Sequence, residues 1–411
     1  MNENARLRSV MNLTQTLIDK AESYGAHNYH PLPLVLRQGA GAQVTDVDGK
    51  QYLDFLSCYS ALNFGHQHPV IIRALLNQLQ KLAVCSRAFY SEEFGYFTEE
   101  LAAFTGLEMV LAMNSGAEAC ETAIKIARKW GYEKKKVDPN QANIICFENN
   151  FHGRTVTIVS FSTDPAYREG FGPFTPGFKI VPYDDPQAVE KAIDKNTVGV
   201  FIEPIQAEAG ILVPQTGYLS QLRNICDKHQ VLLMVDEIQT GLGRTGADFC
   251  YQHEKIKPDL LILGKSLGGG LLPISAVVGP RSVMEVIRPG QHGSTFGGNP
   301  LACAVARAAI QVLKTEKLSE RSLVLGKKVL EKLREIQSAQ IREVRGKGLL
   351  IGVELEPSAG GARKYCERLA QEGVLCKETH DHVIRIAPPL TISESDLFRG
   401  IEKISSIISE T

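Results

Sequence analysis

An excess of charge is the first thing this 411-residue sequence lacks: 45 basic and 46 acidic side chains leave a formal net charge of −1. No electrostatic footprint for nucleic acid or for an anionic membrane surface is expected from it. C-x-x-C pairs are absent too, and the nine cysteines (58, 85, 120, 146, 226, 250, 303, 366 and 376) are odd in number and scattered. That pattern argues against a disulfide framework or a cysteine zinc site and fits a reducing compartment. No apolar run approaches bilayer length, and Arg6 and Arg8 are not followed by the apolar stretch of a signal peptide. A soluble, cytoplasmic chain is expected. The His-x-His pairs at 66/68 and 380/382 have no further ligand spacing around them and read as polar loop residues rather than metal ligands. No internal repeat is visible. What is present is 44% hydrophobic residues, enough for one large domain and a smaller companion.

Patterning divides the chain. Leu13, Leu17 and Ile18 fall at helical spacing before Gly25 and predict a short opening helix over 10–24. Alternation around Asp48 and Gly49 predicts an antiparallel hairpin over 42–56. From about 90 to 280, helical stretches alternate with apolar runs at 143–147, 155–161, 198–202, 231–235, 260–263 and 274–278. Such alternation predicts an α/β fold with a mainly parallel sheet covered by helices on both faces. A long helix from Pro300, strands at 348–354 and 383–386, and an amphipathic helix from Glu394 predict a C-terminal α/β subdomain. The domains expected are 1–56 as the N-terminal segment of the small domain, 57–299 as the large domain and 300–411 as the C-terminal part of the small one. The charged stretch from Lys134 and the region near Gly360 read as solvated turns.

Two of the apolar runs end in chemistry. One finishes at Asp236 and the next at Lys265, and open α/β sheets bind ligands outside the carboxyl ends of their strands. An ammonium at the end of a buried strand is costly unless it has covalent work to do. An amine that can join an aldehyde, beside a carboxylate that can hold a pyridine nitrogen protonated, suits pyridoxal phosphate. Residues 114–118, NSGAE, place Ser115 and Glu118 at capping-box spacing where a helix opens, so Ser115, Gly116 and Ala117 are candidate phosphate ligands. Phe151 is a candidate for stacking on the cofactor ring, and Arg154 for gripping a carboxylate. The 241–246 segment matches G-x-G-x-x-G, but Pro258 soon interrupts the chain beyond it and no dinucleotide-binding helix is available. A Walker-type reading of Gly264, Lys265 and Ser266 fails because the motifs stand in reversed order and the lysine sits on the strand itself.

The segments LILGKSLGGG (261–270), VDEIQTGLGRTG (235–246), FHGRT (151–155) and GSTFGGNP (293–300) resemble the signature segments of the class III, or ω-type, aminotransferases of fold type I. The resemblance covers nearly the whole chain. Within that family, YGAHNYHPLP (24–33), FLSCYSALN (55–63) and SRAFY (86–90) are similar to the enzymes that act on the δ-amine of ornithine. The resemblance implies a seven-stranded large domain, a homodimer with shared active sites, pyridoxal phosphate as cofactor, and ornithine and 2-oxoglutarate as substrates. Acetylornithine, 4-aminobutyrate and other ω-amino donors are the alternatives within the class. It further implies that Lys265 binds the cofactor and shuttles the proton, that Asp236 meets the ring nitrogen, and that Gln239 reaches the ring hydroxyl. Ser294 and Thr295 would reach the phosphate from the partner subunit. Tyr29 and Arg154 would fix the α-amino and α-carboxylate groups of ornithine, Tyr59 would line the pocket, and Glu208 with Arg385 would let one pocket serve two substrates. Three positions depart from the animal ornithine enzymes: His152 stands for tryptophan, Gly243 for a frequent alanine, and Ala207 for the glycine before Glu208, predicting a more restricted swing of that glutamate.

Overall fold

A computed structural model describes residues 13–410; Arg6 and Arg8 lie outside the described residues. Seven strands build the central sheet, in the spatial order Met109–Met113, Ser275–Gly279, Leu260–Leu263, Leu232–Asp236, Thr197–Ile202, Asn143–Phe147 and Phe178–Val181. Only Ser275–Gly279 runs against its neighbours. Successive residues of the inner strands feed two different cores. Ile145, Val200, Leu233, Val235, Leu261 and Leu263 pack on one face with the Pro300–Thr315 helix, while Ile144, Val198, Leu232, Met234, Leu260 and Ile262 pack on the other with the Gly116–Trp130 helix. Burial on both faces is why these strands read as continuous Val/Ile/Leu runs.

Two smaller sheets flank this one. Leu36–Ala40, Gln43–Asp46 and Gln51–Asp54 form an antiparallel meander, including the hairpin expected around Asp48 and Gly49, and Val374–Leu375 joins its edge in parallel from the far end of the chain. The C-terminal sheet has the order Ile341–Lys347, Leu350–Leu355, Val383–Ile386, Lys377–Thr379. The opening helix occupies Leu13–Tyr24 and stops before Gly25 as expected, and the closing helix spans Glu394–Ser409.

Some expectations are corrected. The run at 155–161 is not a strand; Val156–Val159 is a helical turn with Val156 about half exposed. Both edges of Asn143–Phe147 are already taken by Phe178–Val181 and Thr197–Ile202, so the β-branched run that follows cannot pair back onto the strand it leaves. Met109–Met113 and Phe178–Val181 went unpredicted, the first lacking a β-rich composition and the second short and at the sheet edge. The stretch from Lys134 is not all solvated: Lys135 turns inward and donates to the carbonyls of Thr197 (2.8 Å) and His229 (3.1 Å). The G-x-G-x-x-G segment is structural. Its Arg244 is fully buried and donates to Asn63 Oδ1 (2.6 Å), Leu349 O (3.0 Å) and Pro388 O (2.6 Å), tying three parts of the chain together. Burial holds that guanidinium down at about 9.

Candidate active site

Adjacent parallel strands deliver the two central residues. Asp236 is in register with Ile262, so the carboxylate and Lys265 emerge together at the carboxyl edge of the sheet. Lys265 takes a left-handed backbone conformation (φ 45°), which in a residue with a side chain costs about 1–2 kcal/mol and is held only where neighbours fix it. Burial pushes its ammonium down to about 8, with the nearby Glu208 carboxylate working in the opposite direction.

Asp236 is buried and both of its carboxylate oxygens have partners. Oδ2 meets His152 Nδ1 at 2.7 Å and accepts from the Cys120 thiol at 3.5 Å, while Oδ1 accepts from the amide of Ile238 at 2.9 Å. The His152 ring is itself stacked on Phe201, with centroids 3.9 Å apart. Cys120, His152 and Asp236 therefore form one compact buried group centred on the carboxylate.

Lys265 and Asp236 line a cavity of about 190 Å³ together with Gly116, Ala117, Phe151, His152, Gly153, Glu203, Ile205, Ile238, Gln239 and Thr240. Gly116 and Ala117 begin a 15-residue helix whose first amides have no carbonyl within the helix to bond. Ser115 caps that helix: its Oγ accepts from Glu118 N at 3.2 Å, and Glu118 Oε2 accepts from Ser115 N at 2.7 Å. Gly153, at φ 131°, lies so close that a Cβ there would come 2.7 Å from the Cβ of Ala117. Glycine is required at that wall.

A polar network adjoins the cavity. Arg385, with no exposed surface, donates to Glu208 Oε1 (2.9 Å) and Gln239 Oε1 (2.7 Å), and Gln239 Nε2 donates back to Glu208 Oε1 (3.0 Å). Burial would push the Glu208 carboxyl up, but Arg385 and Lys265 outweigh it and hold it below its ordinary value. Tyr59 covers Arg385, its ring centroid 5.1 Å from the guanidinium. It is presented by four consecutive left-handed residues, Ser57–Ser60, anchored where Asp54 Oδ1 accepts from the amides of Leu56 (3.0 Å) and Ser57 (2.8 Å).

Lys265, Asp236, Gln239, Gly116, Ala117 and Phe151 thus share one cavity, and Glu208, Arg385 and Tyr59 join it through Gln239. Ser115 meets Lys265 in a second hollow of about 430 Å³, alongside Cys58 and His66. Arg154 is exposed, lying 3.7 Å over the ring of Tyr167 and 5.4 Å over that of Phe151. Tyr29 and Thr295 are exposed. Ser294 accepts from Asn114 Nδ2 of its own chain at 2.7 Å, next to Ser115.

Several groups escaped the sequence. Glu203 lines the cavity and accepts from the amide of Phe151 at 2.8 Å, and burial with Asp236 nearby raises its carboxyl well above the ordinary range. Its signal was available, since it ends the apolar run 197–202 as Asp236 ends its own. His152 stands out in the sequence only as a departure; its contact with Asp236 depends on the fold. Cys120 and Tyr167 left no signal.

The sequence profile described as Aminotransferase class-III matches residues 24–408. The chain belongs to the class-III aminotransferases. An ornithine aminotransferase of Brevibacillus brevis is 54% identical over 401 residues, covering 98% of this chain and all of its own length. One of Bacillus subtilis is 52% identical, covering 97% and 99%. Among solved structures, the ornithine aminotransferase of Toxoplasma gondii has a TM-score of 0.96 at 43% identity and covers 99% of this chain and 97% of its own. The acetylornithine aminotransferase of Elizabethkingia anophelis has a TM-score of 0.89 at 46% identity, covering 97% and 99%. Class-III aminotransferases depend on pyridoxal phosphate, and the donor set of this class-III aminotransferase fits that cofactor. It offers a desolvated amine for an aldehyde, a buried carboxylate for a ring nitrogen, and free amides at a helix N-terminus for a phosphate.

Proposed function

We propose that the protein transfers the δ-amino group of L-ornithine to 2-oxoglutarate, giving glutamate 5-semialdehyde and glutamate. The observation that carries this is the Glu208–Arg385 pair set against Lys265, a device with a purpose only if the pocket must accept one substrate that brings an α-carboxylate there and another that does not. When bound, pyridoxal phosphate supplies the aldehyde that captures the amine and a ring that withdraws electrons from the carbon losing its proton.

The protein does the rest. Lys265, depressed toward neutrality, is suited to take the proton from one carbon and return it to another. Asp236, oriented by His152 and the Ile238 amide, would present its carboxylate to the ring nitrogen. Gln239 is assigned to the ring hydroxyl, Phe151 to the ring face, and Ser115, Gly116 and Ala117 to the phosphate. Tyr29 and Arg154 are assigned to the α-amino and α-carboxylate groups of ornithine, leaving the δ-amine to reach Lys265; Tyr59 walls the pocket. Arg385 and Arg154 would then take the α- and γ-carboxylates of glutamate in the second half-reaction.

A homodimer is part of this proposal, with Ser294 and Thr295 completing the phosphate site of the partner subunit. Exposed apolar side chains support it: Leu79, Leu82, Phe89, Tyr90 and Phe296 leave large apolar surface uncovered on the single chain. The division into 57–299 and a small domain from the two ends is supported by the pairing of Val374–Leu375 with Gln51–Asp54. Among the described residues no helix is long and apolar enough to cross a membrane, and the nine unpaired cysteines support a cytoplasmic location.

Acetylornithine is the second donor to consider, favoured by the 46% identity to the Elizabethkingia enzyme. A donor screen with 2-oxoglutarate decides between them. Ornithine should be consumed faster than acetylornithine, lysine and 4-aminobutyrate. A preference for acetylornithine would replace the first assignment with the second.

A further inference from the structure

The loop that carries Glu208 is held from outside as well as from within. Gln206 and Leu212 exchange both main-chain hydrogen bonds (3.1 and 3.0 Å) and close a narrow loop between them. Inside it Gly210 sits at φ 104°, and Ile211, a β-branched residue, is forced to φ 58°. A β-branched side chain in that region is strained, so external contacts must fix it. They come from the C-terminal sheet. Thr379 Oγ1 donates to the carbonyl of Glu208 at 2.6 Å. Arg345 donates from Nη2 to the carbonyl of Gly210 at 2.7 Å, and from Nε to the carbonyls of Gly210 (3.0 Å) and Ile211 (3.2 Å).

Register explains why these side chains converge. Arg345, Gly352 and Arg385 stand opposite one another on three neighbouring strands, and Thr379 pairs with Val383, two residues from Arg385. All therefore share one face of the sheet. Gly352 leaves the middle of that face open: a Cβ there would come 3.2 Å from the carbonyl oxygen of Gly210. The loop rests on a platform made by two arginines, a threonine and a glycine, and one of those arginines is Glu208's own ion-pair partner.

We propose that Thr379 and Arg345 are positioning residues that fix the main chain of Glu208 to the sheet carrying Arg385, so that the ion pair opens and closes through the Glu208 side chain alone. This rests on the assignment of Glu208 and Arg385 as the pair that distinguishes the two substrates. With the carbonyl of Glu208 pinned, its carboxylate returns to the same place after each glutamate half-reaction. Without the pin, the loop drifts from the platform, Arg385 is left open more of the time, and ornithine loses more than glutamate does.

The test uses the holoenzyme with Thr379→Val, which keeps the shape and removes the hydroxyl, and Thr379→Ser, which restores it. Single-turnover rates with ornithine and with glutamate are measured separately, and amide hydrogen exchange is followed over 206–212. Thr379→Val should shift the ratio of the two rates roughly fivefold toward glutamate, the worth of one neutral hydrogen bond, and speed exchange in that loop. Thr379→Ser should stay within about twofold of wild type in both readouts. Gly352→Ala, whose added Cβ would press the Gly210 carbonyl away from the same platform, should shift the ratio in the same direction. If Glu208→Ala changes the ratio while Thr379→Val leaves ratio and exchange untouched, the positioning role is refuted and the substrate switch stands. If Glu208→Ala itself slows both donors equally, the switch fails and this inference falls with it.

Discussion

Glu208→Ala would remove the anion facing a guanidinium that has no exposed surface. Arg385 would keep the amide oxygen of Gln239 at 2.7 Å and the face of Tyr59, but no charge to balance its own. Removing one partner of a buried ion pair costs about 3–5 kcal/mol. Because 21% of the Glu208 side chain is exposed, the low end is expected, a loss of about 3 kcal/mol in the unfolding free energy of the free enzyme. The same unpaired guanidinium is then open to any carboxylate that reaches it. Glutarate, a dicarboxylate, should bind roughly tenfold more tightly to the variant than to wild type, returning part of the lost stability. In single-turnover mixing, the glutamate half-reaction should be preserved or faster and the ornithine half-reaction slower. Denaturant titrations with and without glutarate, together with the two half-reactions, give the full set of observables. Parallel slowing with both donors and no gain in glutarate affinity would rule out the switch, leaving Glu208 structural and Ala207 the mark of a glutamate that does not move.

Burial holds the Lys265 ammonium at about 8, and only the neutral amine is a nucleophile. Uptake of pyridoxal phosphate by apoenzyme should therefore rise with pH with a midpoint near 8, rather than near the value of about 10.4 for free lysine. Between those values the unfolded chain holds the extra proton, so the apoenzyme should also gain stability as pH rises from about 8 to 10. A reconstitution midpoint near that of free lysine would count against a desolvated site. After borohydride treatment and digestion, the pyridoxyl mass should lie on the Lys265 peptide, and Lys265→Ala should bind the cofactor only reversibly. His152→Ala would leave Asp236 with the Cys120 thiol and the Ile238 amide. A hydrogen bond to a charged group contributes about 1.5–3 kcal/mol, so cofactor affinity measured by equilibrium dialysis should fall roughly ten- to hundredfold. Unchanged retention would mean that His152 only packs against Phe201.

The parts of this molecule that its sequence announces are those where a local pattern and a global position coincide. Strands buried on both faces read as apolar runs, and a run that ends in Asp236 or Lys265 puts its charge at the sheet edge, where an open α/β sheet binds its ligand. The capping box at Ser115 is written in four consecutive residues and forms as written. Features that depend on what lies alongside are invisible. The run 155–161 has strand composition, but the strand before it is already paired on both sides. Arg244 looks like part of a glycine-rich loop, and only the fold shows that it bonds Asn63, Leu349 and Pro388. His152 and Asp236 are 84 positions apart, and Thr379 is 171 from Glu208; no spacing rule reaches across such distances. The assignments of Tyr59, Glu208 and Arg385 come from family likeness rather than from pattern, and the fold brings those three side chains together.

Above all, the amine leaving ornithine should be the one at the far end of its side chain, because the proposed grip of Tyr29 and Arg154 would hold the α-end away from Lys265. Two samples of ornithine, one labelled with heavy nitrogen at the δ-position and one at the α-position, should be turned over with unlabelled 2-oxoglutarate and the glutamate product examined by mass spectrometry. Label is expected in glutamate from the δ-labelled sample and none from the α-labelled one. Label arriving from the α-position would overturn the proposed reaction.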